Sequence, residues 1–342
     1  PSLPLLWLSL AVGLSLFASA GAQETAPAPT VITGGNAGRA FSLGSSPNAI
    51  IVKAIESMPS GGGYRASGPA ITALRGSMRA SDGGIALEPA QATPSFCSGA
   101  TYLVFLAALN ELQRDKQISM SDATVRALLV EGQSDGTGVW GRWNANGPGT
   151  ARLFFESGLG RNFTSFDEAR PGDFMKVWWN DQIGALERGH SVVYLGQETR
   201  SDGPYVHYWS SNIPGGFGHA YVARQKMRRV LFSRLEHPEQ INRVATLPAK
   251  DSYLASMLSK PSTPEQMAVV VGLPAKESWH LFPAPPTAAT PVPAPAVRPS
   301  TRLPATDKSP APVGTAQSTS ATPLPTSPTP KKSWLGNLLH RQ

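Results

Sequence analysis

Prolines are not spread evenly along this chain. Of the 32, fourteen fall between residues 283 and 330, in runs of Pro, Ala, Thr and Ser (PAPPTAATPVPAPAV, then SPAPVGTAQSTSATPLPTSPTP). Each proline fixes its own φ and removes a backbone donor. The residues between them carry too little apolar surface to offset the entropy of ordering. The segment therefore reads as a disordered, semi-rigid spacer favouring extended polyproline II, and a packed core must be built upstream of it.

The other end is equally distinctive. From Leu3 to Phe17 the sequence is apolar, and two A-x-A patterns follow, Ala18-Ser19-Ala20 and Ala20-Gly21-Ala22. Residues 1–22 read as a secretory signal, although no Lys or Arg precedes Arg39. A membrane anchor is the alternative, but an apolar run of about 15 is shorter than the roughly 20 residues a spanning helix needs. The expectation is an exported protein, periplasmic or secreted, with no stable membrane span after cleavage. No cysteine lies near the cleavage region to take a lipid.

Charge follows the same partition. The formal net charge is +7, and residues 282–342 hold six basic side chains against one acidic, a net +5. The remainder is close to neutral, so basicity belongs to a tail and no nucleic-acid partner is expected. The terminus 331–342, KKSWLGNLLHRQ, sets Trp334, Leu335, Leu338 and Leu339 at helical spacing beside basic residues. It reads either as a short amphipathic turn docking to a membrane or protein, or as a frayed end.

What is left divides into a flexible segment 23–44, a folded domain 45–236 and a partly ordered extension 237–282. Helices are expected near 45–58, in the long apolar run after Pro94 (ATYLVFLAALNELQRDK), after Ser121 as N-cap, and around TARLFFES. Strands are expected in FMKVWW, HSVVYLG, YVHYWSS and MRRVLFSRL. One long helix followed by meandering strands gives an α+β class, with the helix packed on an antiparallel sheet.

A single Cys, Cys97, excludes a disulfide scaffold and any cysteine-based cluster. No phosphate loop, dinucleotide fingerprint or metal-ligand cluster is present, so neither cofactor nor metal is expected. A lone Cys is commonly a small buried hydrophobe. Cys97 stands where a loop enters an apolar helix, in SFCSGATYLVF, where backbone N–H groups lower a thiol pKa and can hold an oxyanion. Those donors are the N–H groups of Cys97 and Ser98, and Gly99 leaves room for substrate. A thiolate nucleophile needs an imidazole, and the imidazole an orienting group. His190 opens an apolar strand and His207 lies in the next one, while His219 and His237 are expected to face water.

The order of these motifs resembles the NlpC-type cell-wall cysteine peptidases, a papain-like family. Cys97-Ser98-Gly99 is similar to the family's nucleophile motif, Arg170-Pro171-Gly172-Asp173 to its strand-opening turn, and His190 to Gly196 to its histidine strand. His207 falls where the family keeps a third polar residue. The match spans residues 64–235; Phe96 replaces a common acidic residue, and 93 positions separate Cys97 from His190. The resemblance implies a papain-like fold and a hydrolase cutting peptide or amide bonds in peptidoglycan stem peptides, with muropeptides as partner. A CHAP-type amidase is a near relative with the same Cys…His order. The implied catalytic set is Cys97, His190 and His207, with Asn212 as the alternative third member. Strand alternation puts His207 and Asn212 on opposite faces unless a bulge intervenes.

Other features carry two readings each. Trp140, Trp143, Asn144 and Asn146 line a substrate groove, or the tryptophans anchor a core. Asp173 braces the site or merely makes its turn. The basic run Arg224, Lys226, Arg228, Arg229 and Arg234 contacts anionic polymer, or is a solvated strand edge. Two rival functions stand beside the hydrolase: a non-catalytic wall- or glycan-binding module with a buried Cys97, and an adhesion protein working through its tail.

Overall fold

The structure, a computed structural model, describes residues 46–274. The expected signal, the segment up to residue 44, the proline-rich spacer and the amphipathic terminus lie outside the described residues. So do His280 and His340.

Helix α1 (Pro47–Glu56) starts where Ser46 caps it, the side chain accepting from Ala49 N–H at 3.3 Å, and Pro47 takes the first helical position. It buries Ile50, Ile51, Ala54 and Ile55 against α3 (Cys97–Arg114). At 1.5 Å per residue α3 is about 27 Å long. Twelve of its 18 residues are buried, so protein encloses most of its circumference.

Between these helices lie the two-residue strand β1 (Gly61–Gly62), helix α2 (Gly68–Gly76) and a small hairpin of β2 (Met78–Ser81) and β3 (Gly84–Leu87). After α3 come α4 (Asp122–Leu128), α5 (Gly138–Trp143) and α6 (Gly149–Ser157). Ser121 caps α4 as expected. The Gly/Trp/Asn stretch read as a loop contains α5. Its Gly141 is a packing requirement, because a Cβ there would lie 2.1 Å from Ser134 O.

Strands β4 (Gly160–Phe163), β5 (Phe174–Trp178), β6 (Gly189–Arg200), β7 (Gly203–Asn212), β8 (Gly216–Ala223) and β9 (Arg229–Leu235) join β1 in a seven-stranded sheet ordered β1-β8-β7-β6-β5-β9-β4. Every pairing is antiparallel. The chain is thus mixed α+β, built on one large antiparallel sheet. Phe174, Val193 and Trp209 turn to the face covered by α3. Met175, Val192 and Tyr208 turn to the other, where they pack with Phe163, Phe166 and Phe232. A bulge between Tyr194 and Gly196 shifts the β6–β7 register, so Val193 opposes Trp209 whereas Gly196 opposes His207.

One reading of the basic run is corrected. The basic strand β9 is not an edge: it lies between β5 and β4, and all seven of its residues are buried. Its Arg234 makes a two-pronged pair with Asp173 at 2.8 and 2.7 Å. Asp173, fully buried, also accepts from Asn48 and from the Arg170 N–H. It therefore ties α1, β5 and β9 together. Residues 238–274 fall within the expected partly ordered extension. They hold α7 (Ser252–Ser256) and α8 (Pro264–Val270), and Met267 and Val271 pack with Trp178 and Leu231. Among the described residues, no helix is long and apolar enough to cross a membrane.

Candidate active site

The loop entering α3 is fixed before Cys97 is reached. Ser95 exchanges backbone bonds with Gly63 and Arg65 at 3.0 and 2.8 Å, and its hydroxyl donates to Ser211 Oγ on β7 at 2.7 Å. Phe96 is extended, and Cys97 is the first helical residue. No side chain caps α3, and its first helical bond runs from Ala100 N–H to Phe96 O at 2.9 Å. The N–H groups of Cys97 and Ser98 are therefore not consumed by the helix, and the positive end of its dipole lies at the thiol. Gly99 does not face substrate. It packs under Leu74 and Phe96, where a Cβ would meet carbon at 3.2 Å.

His190, buried on β6, sits opposite Val177 of β5 and edge-on to Tyr208, with centroids 5.6 Å apart. Its Nε2 meets Asn212 Oδ1 at 3.2 Å. The Asn212 amide is oriented by its own donor, Nδ2, which gives to Gly218 O at 2.9 Å. Oδ1 must then accept, so Nε2 carries the proton and Nδ1 is the basic nitrogen. Nδ1 is buried and has no hydrogen-bond partner. Cys97 and His190 line the same cleft, and the imidazole acts on the ionisation of the thiol.

Cys97 is partly exposed, and its pKa stands at about 7, below the usual 9.0. Burial alone pushes it up. The His190 imidazole and its charge, the Ser191 backbone and the Lys176 ammonium together outweigh that push. Lys176, opposite Ser191 in the β5–β6 pairing, is held by Glu187 at 2.7 Å. Glu187 is buried and also accepts from Trp178 Nε1 and from the N–H groups of Gly147 and Gly184. Asp135 lies close by, pushed up to about 6 by burial and by Glu187 against the pull of Asn146 N–H and Lys176.

These groups surround a cleft of about 530 Å³, open mouth included, lined by Tyr64, Phe96, Cys97, Ser98, residues 144–146, Lys176, Glu187 and residues 189–191. Of the residues expected at the site, Cys97, Ser98, Asn144, Asn146 and His190 border it, and Asn212 holds the His190 ring. Ser98 Oγ donates to Asn144 Oδ1 at 2.5 Å.

Two expected placements are not met. His207 does not meet His190. It lies past the bulge, stacked on Tyr221 at 4.3 Å, with Nε2 3.1 Å from His219 Nδ1. Trp140 and Trp143 are not groove walls, since each is 1% exposed. Trp143 stacks on Phe105 and donates to Ser98 O at 3.1 Å, so it braces the first turn of α3. Lys176 and Glu187 were not singled out from sequence. Lys176 had a signal, a lone charge in the apolar strand FMKVWW, whereas nothing around Glu187 in ALERGH marked it. Among the described residues no group of three or more His, Cys, Asp or Glu could hold a metal ion.

A scan against protein-family models finds no match, and searches of curated proteins and of solved structures return none either.

Proposed function

We propose that this chain is an exported cysteine hydrolase of papain-like type that cuts peptide or amide bonds through Cys97, His190 and Asn212. The observation that carries the reading is the convergence of a thiol with pKa near 7 and a buried imidazole whose other nitrogen is held by an asparagine. A merely structural cysteine has no need of either partner. The order of motifs resembling NlpC-type peptidases supports peptidoglycan stem peptides as the substrate class and the cell envelope as the location. The burial of Trp140 and Trp143 removes the aromatic surface that a glycan-binding module would use.

In this mechanism the Cys97 thiol first passes its proton to His190 Nδ1, and the resulting thiolate adds to the amide carbonyl carbon as the carbonyl electrons move onto oxygen. The N–H groups of Cys97 and Ser98 receive that oxyanion. His190 then gives its Nδ1 proton to the amide nitrogen as the C–N bond breaks and the amine leaves. Next, Nδ1 takes a proton from water as the water adds to the thioester. Collapse expels the thiolate and a carboxylic acid product. Asn212 keeps the ring oriented with Nδ1 toward the sulfur throughout.

Digestion of purified muropeptides followed by mass analysis tests this. The wild type is expected to release new fragments, Cys97→Ala none, and His207→Ala as many as wild type. Asn212→Ala should lose on the order of 10- to 100-fold, part of what general acid–base catalysis supplies. Turnover by Cys97→Ala at the wild-type rate overturns the reading.

A further inference from the structure

Four buried side-chain polar atoms among the described residues lack a hydrogen-bond partner: Ser67 Oγ, Asn146 Nδ2, His190 Nδ1 and Arg229 Nε. Two of them, on Asn146 and His190, belong to residues of the same cleft. The nitrogen of His190 is accounted for by the thiol. That of Asn146 has no such explanation, and native proteins rarely leave a buried donor unpaired without use for it.

The segment carrying Asn146 is firmly held. Asn146 N–H donates to Asp135 Oδ2 at 3.1 Å, and Gly147 N–H to Glu187 Oε2 at 2.8 Å. Gly147 itself takes a left-handed φ of 72°, with Met257 packed where a Cβ would project. Asn144, two residues earlier, is tied to α3 through Ser98. Asn146 thus borders the cleft that holds Cys97 from a fixed backbone, with its side-chain donor unpaired. The charges near it are balanced, since Lys176 and Glu187 of the cleft lining pair with each other at 2.7 Å, a setting that suits a neutral acceptor.

We propose that Asn146 is a substrate-binding residue whose Nδ2 donates to a backbone carbonyl oxygen of a peptide lying along residues 144–147. This rests on the cysteine-hydrolase reading of the cleft. The donors for the oxyanion are at the start of α3, so the Asn146 bond forms with substrate and persists unchanged in the transition state. Such uniform binding lowers KM and leaves kcat alone.

Asn146→Ala should raise the KM for muropeptides by roughly 3- to 10-fold, the worth of one neutral hydrogen bond, and Asn146→Asp by more. In both, kcat should stay within about twofold, and alkylation of Cys97 by iodoacetamide should keep its rate. An unchanged KM in Asn146→Ala, or a loss confined to kcat, overturns the proposal. Muropeptide binding to Cys97→Ser, with and without Asn146→Ala, reads the same contact without turnover. If wild type fails to hydrolyse while Asn146→Ala weakens that binding, the hydrolase reading falls and the Asn146 contact stands. Equal binding by the two, or none by either, overturns the contact.

Discussion

The reactivity of Cys97 toward an alkylating reagent can be worked out in advance. With a pKa of about 7 in place of 9.0, about half of the thiol is ionised at pH 7, against about 1% for an unperturbed group, a gain of about 50-fold. A less basic thiolate is also a weaker nucleophile. With a Brønsted slope of about 0.45, two pK units cost about 8-fold. The net expectation at pH 7 is alkylation about 6-fold faster than an ordinary cysteine, rising to about 12-fold at pH 5.5, where the ionised fractions differ about 100-fold. Because the chain holds a single cysteine, iodoacetamide labelling followed by intact mass gives the rate directly at each pH. The rate profile should have its midpoint near 7. In His190→Ala the largest influence, burial, is left with only Ser191 and Lys176 to oppose it, and the midpoint should move above the wild-type value by at least a unit. A wild-type midpoint at 8.5 or higher, or an unmoved midpoint in His190→Ala, refutes the electrostatic argument.

Two further outcomes concern stability. Asp173→Ala leaves Arg234 buried without its carboxylate and should lower unfolding free energy by about 3–5 kcal/mol in urea titration; a change under 1 kcal/mol would return Asp173 to the role of a simple turn residue. His207 has its pKa lowered below 6.5 by burial and by the charge of His219, so the unfolded chain takes up that proton first as pH falls. Stability should therefore decline from above pH 6.5 through the depressed folded pKa. His219→Gln removes the neighbouring charge and should shrink that decline between pH 7.5 and 5. An identical pH dependence in the variant would show that the pair does not repel.

The sequence made visible those elements whose side chains carry the pattern. Helix α3 is one long, mostly apolar run, α4 has its Ser121 cap, and β5 is a short apolar run opened by the Pro171-Gly172 turn. It hid elements built from glycine: β1 consists of Gly61 and Gly62, paired with Phe217 and Gly216, and offers no side-chain period. Helix α5 looked like a loop because Gly138 and Gly141 weaken helical propensity, yet close packing against Ser134 requires the second of them. At the site, Cys97 and His190 stood out through residue type and context. The choice between Asn212 and His207 did not, because both are plausible orienters in one strand, and register decides which one meets His190. The bulge at Tyr194 and Gly196 is a property of paired strands, and its mark in the sequence is one glycine, Gly196 with φ of 144°. Glu187 was hidden because its donors come from residues 147, 176, 178 and 184.

The sulfur and its imidazole ride on separate structural units, one at the tip of α3 and the other on β6. An unfolded polypeptide would thus carry a quiescent thiol, ionised only to about 1–3% at neutral pH, and its reactivity would be acquired at the moment of docking. Heat or denaturant that lifts the helix from the sheet would return the sulfur to that quiescent state, so loss of fast alkylation should serve as an alarm for tertiary loosening.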